Sequence, residues 1–389
     1  MSRPLHVAIV VGEHSGDQLG FKLMRALRER RPDIRFTGVG GEAMEAEGLR
    51  SLFPLADIAV MGILPVIRRL PTVLRRIRET AEAILAEPPD GLVIIDSPDF
   101  THRVARRVRA RLPDLPIVDY VSPSVWAWRP GRAPRMRAYV DHVLALLPFE
   151  PEAHLRLGGP ACTYVGHPLI ERLGELRATP AEREAASGAP PVLLVLPGSR
   201  RSEIRRLLEP FGQAVALLHE GGFRGRVVIP AVGHLAQEIR AGVAGWTPAP
   251  EIVLGEPAKL AAFRTARAAL AASGTVTLEL ALAGVPMVVA YRVSKLEEQL
   301  KYVIKVPSIV LPNLILDANA IPELLQQAST PQALAAALAP LLGDTPERRT
   351  QGVALERLDG LMTLPGGDTP SDRAARIVLE TIEARPRRP

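Results

Sequence analysis

Cysteine and aromatic side chains are both scarce in this chain, and each scarcity narrows the possibilities. A single cysteine, Cys162, in 389 residues rules out an internal disulfide framework and fits a reducing compartment. Its plain reading is a small buried hydrophobe. No uninterrupted apolar run reaches the ~20 residues that cross a bilayer. Arg3 and then LHVAIVV are too short, and too quickly followed by GEHSGD, for a good secretory signal. A cytoplasmic protein is therefore expected, one able to touch a membrane surface. Familiar phosphate fingerprints are missing as well. GEHSGD (12–17) is not GxGxxG, which argues against an NAD or FAD enzyme, and LPGSRRSEI (196–204) lacks the GK[ST] of a P-loop, which disfavours ATPase chemistry. Asp96 and Asp99 do not form a DxD motif, so their spacing implies no metal.

What is present has a clear pattern. The chain is 47% hydrophobic and 23% charged, as in a soluble globular protein with sizeable cores. Its length suggests two domains. A net charge of +6 favours anionic partners without selecting one. In the first half, near-continuously apolar runs at 5–11, 91–96, 116–121 and 142–148, and a shorter strand at 35–40, alternate with helical stretches. Runs apolar on both faces, separated by helices, predict a parallel sheet covered on both sides. ATPAEREAASGAPP (178–191) reads as a linker. The alternation then restarts at 191–199, 226–232, 251–256, 267–273 and 286–292. Two doubly wound Rossmann-like units follow, α/β in class, with ligands expected just beyond the carboxyl ends of the strands.

Several motifs fall at those places. In GEHSGD, Gly12 and Gly16 permit a tight turn and Ser15 or Asp17 can cap the next helix; Glu13, His14 and Asp17 crowd the same turn. IDSPDF (95–100) puts Asp96 and Asp99 at a sheet edge, where Asp96 can brace the turn and Asp99 can serve as general base toward a hydroxyl. In LPGSRRSEI, Gly198 and Ser199 would offer backbone N–H groups at a helix start, and Arg200 could clamp a phosphate. Ser273, Gly274 and Thr275 repeat that arrangement, with Glu279 one turn further on. Glu279 lies among Leu278, Leu280, Ala281 and Leu282, so its charge needs a partner; a ribose could occupy it. Asn313 in VLPNLI (310–315) could reach a cleft or only shape its own turn.

Aromatics make up only 4% of the chain, yet two of its three tryptophans, Trp126 and Trp128, stand together in YVSPSVWAWRPGR (120–132), before Arg129 and Arg132. Flat rings beside guanidinium groups on a loop suit a ligand with sugar or greasy surface and negative charge. One ring can instead plug the core. PVIRRLPTVLRRIRE (65–79) has apolar residues at helical spacing with arginines between, and Pro71 interrupting. It can lie on an anionic membrane surface or pack on the sheet with solvated arginines.

Taken in order, VGEHSGD, VGGEAMEAEG (39–48), VMGI (60–63), IDSPDF, YVSPSVWAWR, LPFEP (147–151), VGHPL (165–169), LPGSRRSEI, ASGTVTLELALAGVPMVV (272–289) and LPNLI (311–315) resemble the lipid-A-disaccharide synthase family. These are inverting glycosyltransferases of the GT-B architecture, and the match runs over nearly the whole chain. The resemblance implies two facing Rossmann-like domains with a cleft between them: residues 1–175 for the acceptor, 190–345 for the UDP-sugar, and helices in 346–389 that pack back on an N-terminal domain. The donor would be UDP-2,3-diacylglucosamine. The acceptor would be 2,3-diacylglucosamine 1-phosphate, joined through a β-1′,6 linkage without metal or cofactor. Asp99 would be the base, with Asp17 second in rank, and Arg200 would steady the departing diphosphate. Gly198, Ser199, Ser273, Gly274, Thr275, Glu279 and Asn313 would serve the donor. Glu13, Ser15, Asp17, Ser124, Trp126 and Arg129 would serve the acceptor. The enzyme would sit peripherally on the cytoplasmic face of the inner membrane, with no nucleic acid as partner and a homo-oligomer left open. The transferase that adds N-acetylglucosamine to lipid-linked muramyl pentapeptide is expected to carry a GGTGGH-type first loop, which GEHSGD does not match. A UDP-N-acetylglucosamine 2-epimerase would not need the Trp loop. A noncatalytic nucleotide-sugar or acidic-lipid binding protein would not need the IDSPDF carboxylate.

Overall fold

A computed structural model describes residues 3–59, 63–187, 189–293 and 306–384. Most of VMGI and the basic tail (385–389) lie outside the described residues, as do the side chains of Val66 and Arg68. The chain forms two compact units, one of residues up to Pro168 together with those from Leu364 onward, the other Leu169–Thr363.

The first unit is one parallel sheet with helices between its strands. In chain order it runs β1 (His6–Val11), α1 (His14–Arg30), β2 (Arg35–Val39), α2 (Glu42–Ala46), α3 (Ile63–Ala86), β3 (Gly91–Ile95), α4 (Thr101–Arg111), β4 (Ile117–Tyr120), α5 (Arg132–Met136), β5 (His142–Ala145), α6 (Glu150–Arg156) and β6 (Ala161–Tyr164). The strands lie in the order β2-β1-β3-β4-β5-β6. Every residue of β1, β3 and β4 is buried, as expected for strands with helices on both faces. The order reverses between β1 and β3, whose last residues Val11 and Ile95 are in register. A reversal of this kind opens a crevice beyond the strand ends. GEHSGD and IDSPDF are the two loops that flank it.

The second unit runs α7 (Leu173–Leu176), α8 (Pro180–Ser187), β7 (Val192–Leu196), α9 (Arg201–Glu220), β8 (Arg226–Ala231), α10 (Ala236–Val243), β9 (Glu251–Leu254), α11 (Glu256–Thr265), β10 (Ala266–Ala272), α12 (Thr275–Leu282), β11 (Met287–Tyr291) and β12 (Glu323–Leu325), with further helices at Leu311–Leu316, Pro331–Leu342 and Pro346–Met362. Its strand order is β12-β11-β10-β7-β8-β9. This sheet reverses between β7 and β10, where Leu196 pairs with Ala271. The loops flanking the reversal are LPGSRR and SGT.

Three features depart from the sequence pattern. β6 and β12 lie at the outer ends of their sheets and are only partly buried, so they show no continuous apolar run. α3 continues through Pro71 as one helix. Its Ile77 sits fully in the core with Val73 and Leu74 against it, and Arg76 pairs with Asp57 at 2.5 Å and Glu79 at 2.6 Å, so this length of the basic stretch packs on its own unit. The residues 346–389, read as one block, divide between the units. Pro346–Met362 belongs to the second; the helix Pro370–Glu383 packs against α1 in the first, with Ile382 so close over Gly91 that a Cβ there would overlap it.

Candidate functional site

The turn after β3 is held in an uncommon shape. Asp96 and Ser97 both have positive φ, 54° and 45°, a conformation costly for residues other than glycine. The Asp96 carboxylate accepts from the Ser97 N–H at 2.7 Å, and the Asp96 carbonyl accepts from Thr101 Oγ1 at 2.6 Å. Ser97 thereby presses on the β1 loop, where a Cβ at Gly12 would overlap its side chain. Ser15 on that loop donates to Glu13 at 2.9 Å and approaches Asp96 at 3.4 Å. The structure thus brings Glu13, Ser15 and Asp96 together at the sheet reversal.

Asp99 emerges from this turn with its side chain 78% exposed, 3.6 Å from Arg132. Two hollows share it as a wall, together with Pro98, Arg103 and Arg129. One, of about 540 Å³, is lined by Arg103, Arg106, Arg129, Arg132 and Arg135, with Asp99 the only carboxylate among the described residues of its wall. The other, of about 490 Å³, is lined by Ile58, Leu70, Val73 and Phe100 beside Gly12 and Ser97. One carboxylate therefore stands between a strongly cationic hollow and a largely apolar one. Sequence reasoning missed Arg103, Arg106 and Arg135. For Arg103 and Arg106 the available signal was the start of α4 directly after IDSPDF, since residues three apart share a helix face; Arg135, on α5, had none of that kind.

The two tryptophans have different surroundings. Trp128 is 40% exposed, with the Arg129 guanidinium 4.2 Å and that of Arg132 5.9 Å from its ring centre. Trp126, expected to face the acceptor, is partly buried. It lies edge-on to Phe149 at 5.1 Å and donates its indole N–H to Glu150 at 3.0 Å. Glu150 also accepts from the Leu147 N–H at 3.0 Å, so one buried carboxylate ties the loop after β4 to the loop after β5. Exposed Ser124 accepts at its carbonyl from the Trp128 N–H at 3.1 Å, which closes the turn.

Burial pushes the Glu150 carboxyl up from 4.5 to about 7. A group raised on folding adds stability below its unfolded value and loses it as pH climbs through its folded value. Relative to Glu150→Gln, the native protein should therefore lose about 3 kcal/mol between about pH 4.5 and about pH 7. Urea unfolding of both proteins at the two ends of that window checks this. A constant difference between them would show that Glu150 does not titrate there. Burial likewise pushes the Cys162 thiol up, away from thiolate chemistry.

Asp17 is not at the site. It is 4% exposed, and its carboxylate accepts from the backbone N–H groups of Gly41 at 2.8 Å, Ala43 at 3.1 Å and Met44 at 3.1 Å. It caps α2 from a distant part of the chain, which leaves it no role as an alternative base.

In the second unit, Gly198 has φ +118° and meets Glu203 so closely that a Cβ would overlap it. The buried Glu203 carboxylate accepts from the N–H groups of Ser199 at 3.0 Å and Arg200 at 3.1 Å. The donors expected to face a phosphate are thus already occupied by an internal anion. The Arg200 side chain, 3.3 Å from Glu203, remains 64% exposed. On the adjoining strand, Gly274 and Thr275 are exposed at the start of α12, which has no side-chain cap. Glu279 has the partner its apolar setting required: Lys259 Nζ at 2.6 Å. Nothing in the sequence joined these two. Asn313 is buried: its amide donates to the Ile321 carbonyl and to Glu323, both at 2.9 Å, and its oxygen accepts from the Ile321 N–H. Glu323 also accepts from the Ile309 N–H at 3.0 Å, and the Ile309 carbonyl accepts from Ser273 at 2.8 Å. Asn313 therefore supports the loop that anchors Ser273.

Comparison with known proteins adds a second line of observation. The lipid-A-disaccharide synthetase family model matches residues 7–362. A lipid-A-disaccharide synthase of Nitrobacter hamburgensis is 58% identical over 97% of this chain and 96% of its own length. One of Nitrobacter winogradskyi is 57% identical over 97% and 95%. Among solved structures, Acinetobacter baumannii MurG superposes with a TM-score of 0.60 at 13% identity, covering 97% of this chain and all of its own, which supports the two-domain Rossmann-like fold.

Proposed function

Because this chain belongs to the lipid-A-disaccharide synthase family, and is thereby a glycosyltransferase of lipid A biosynthesis, we propose that it joins UDP-2,3-diacylglucosamine to 2,3-diacylglucosamine 1-phosphate with inversion. The acceptor 6-hydroxyl attacks the donor's anomeric carbon. The bond from that carbon to the UDP oxygen breaks, the β-1′,6 bond forms, and the hydroxyl proton passes to Asp99. The observation that carries this reading is the setting of Asp99, an exposed carboxylate between a cationic and a largely apolar hollow. The acceptor has just these parts: a phosphate, acyl chains and a reacting hydroxyl. Glu13, Ser15, Ser124 and Arg129 border that reading on the acceptor side. Trp126, held by Glu150, supports the loop that carries Trp128 and Arg129.

UDP leaves with negative charge, and fixed positive groups where charge develops are often the largest contribution to catalysis. Arg200 supplies a guanidinium and the uncapped start of α12 at Gly274 and Thr275 supplies oriented N–H groups. Glu279, drawn from Lys259, accepts from the ribose hydroxyls. Gly198 and Ser199 act through the turn that seats Arg200, and Asn313 through Ser273. The greasy substrates put the enzyme peripherally at the cytoplasmic face of the inner membrane; among the described residues no helix is long and apolar enough to cross it.

UDP release in the presence of a chelator tests the scheme. Release should depend on both diacyl sugars and survive chelation. Release without acceptor would contradict the transfer, and loss on chelation would contradict the metal-free route.

A further inference from the structure

We propose that the five-arginine hollow beside Asp99 seats the acceptor's anomeric phosphate, and that Arg103 and Arg106 make the enzyme select phosphorylated over unphosphorylated diacyl sugars. The assignment rests on the reading of Asp99 as the acceptor's base. Arg103, Arg106, Arg129, Arg132 and Arg135 line this hollow, with the Asp99 carboxylate beside them. Guanidinium groups so gathered repel one another and are best relieved by a multiply charged anion. A phosphate monoester brings about −1.5 to −2 charges and three acceptor oxygens, which match the forked donors of arginine.

The hollow is also organised in advance. Arg106 lies over the Tyr139 ring at 4.7 Å and donates to its hydroxyl at 3.2 Å. The Tyr139 hydroxyl lies 3.0 Å from His102 Nδ1, and His102 Nε2 lies 3.2 Å from fully buried Asp119. Assigning the proton to Nε2 leaves Nδ1 to accept, so Arg106 donates to Tyr139 and Tyr139 to His102. These bonds fix Arg106 from behind. In the loop after β4, Trp128 holds the Arg129 and Arg132 guanidinium groups against its ring. A guanidinium fixed before binding loses less freedom when the phosphate arrives.

The test compares the acceptor 1-phosphate with the same diacyl sugar lacking phosphate. Arg103 and Arg106 are exposed on α4, so Arg103→Gln with Arg106→Gln removes two charges without opening the core. Arg107→Gln is the control, since Arg107 is exposed on the same helix but outside the hollow. In the double variant, KM for the phosphorylated acceptor should rise on the order of 10- to 100-fold. Values for the unphosphorylated sugar and for UDP should stay within a few-fold, and Arg106→Lys should recover part of the loss. An equal rise for both acceptors, no rise, or the same rise in Arg107→Gln would overturn the assignment while the transfer itself stands. Wild-type protein that forms no disaccharide from either acceptor would overturn the transfer and this assignment together.

Discussion

Replacing Asp99 with asparagine should cut turnover by on the order of 10²- to 10⁴-fold, the usual contribution of a positioned general base, and leave UDP affinity within a few-fold of native. The side chain is exposed and its ion pair with Arg132 is 3.6 Å long, so the substitution removes little structure. Asparagine fills the same space and cannot take the proton. kcat from UDP release and UDP affinity by titration separate the two effects. Turnover within a few-fold of native would remove Asp99 from the chemistry. A parallel loss of UDP affinity would mean that the variant disturbs more than the base.

Replacing Asp17 with alanine should instead damage the fold, by about 3 kcal/mol, because a buried helix cap and the acceptor for three backbone N–H groups disappear together. Thermal unfolding should show an earlier midpoint. Activity per folded molecule, measured well below that midpoint, should stay within a few-fold of native. An Asp17 variant with native stability and no turnover would restore its standing as a base.

How far the sequence could be read depended on how locally each feature is encoded. Buried parallel strands such as β1, β3 and β7 announce themselves, since helices on both faces demand continuous apolar runs. The motif loops were legible for the same reason, as each directly follows such a run. Which loops flank the sheet reversals required the strand order, and that depends on long-range pairing. The contrast between Asp99 and Asp17 shows the boundary. Both belong to polar motifs that directly follow a strand, but only tertiary structure brings the N–H groups of residues 41, 43 and 44 to Asp17. Glu203, which occupies the donors after Gly198, lies within the motif itself. The helix-start reading assumed those donors pointed outward. Lys259 and Glu279 stand twenty residues apart on different helices, so their pairing had no sequence signal beyond the rule that a charge among leucines needs a partner. The tryptophan pair was conspicuous by composition, yet its division into a wedged Trp126 and an exposed Trp128 rests on Glu150, at the start of α6.

The most direct measurement is the identity of the product. Purified protein is incubated with UDP-2,3-diacylglucosamine and 2,3-diacylglucosamine 1-phosphate; the product is weighed by mass spectrometry and its anomeric proton coupling read by NMR. A single β-1′,6-linked tetraacyl disaccharide 1-phosphate, formed in step with UDP, is the predicted result. UDP released by hydrolysis with no disaccharide, or a disaccharide with an α linkage, would contradict the account.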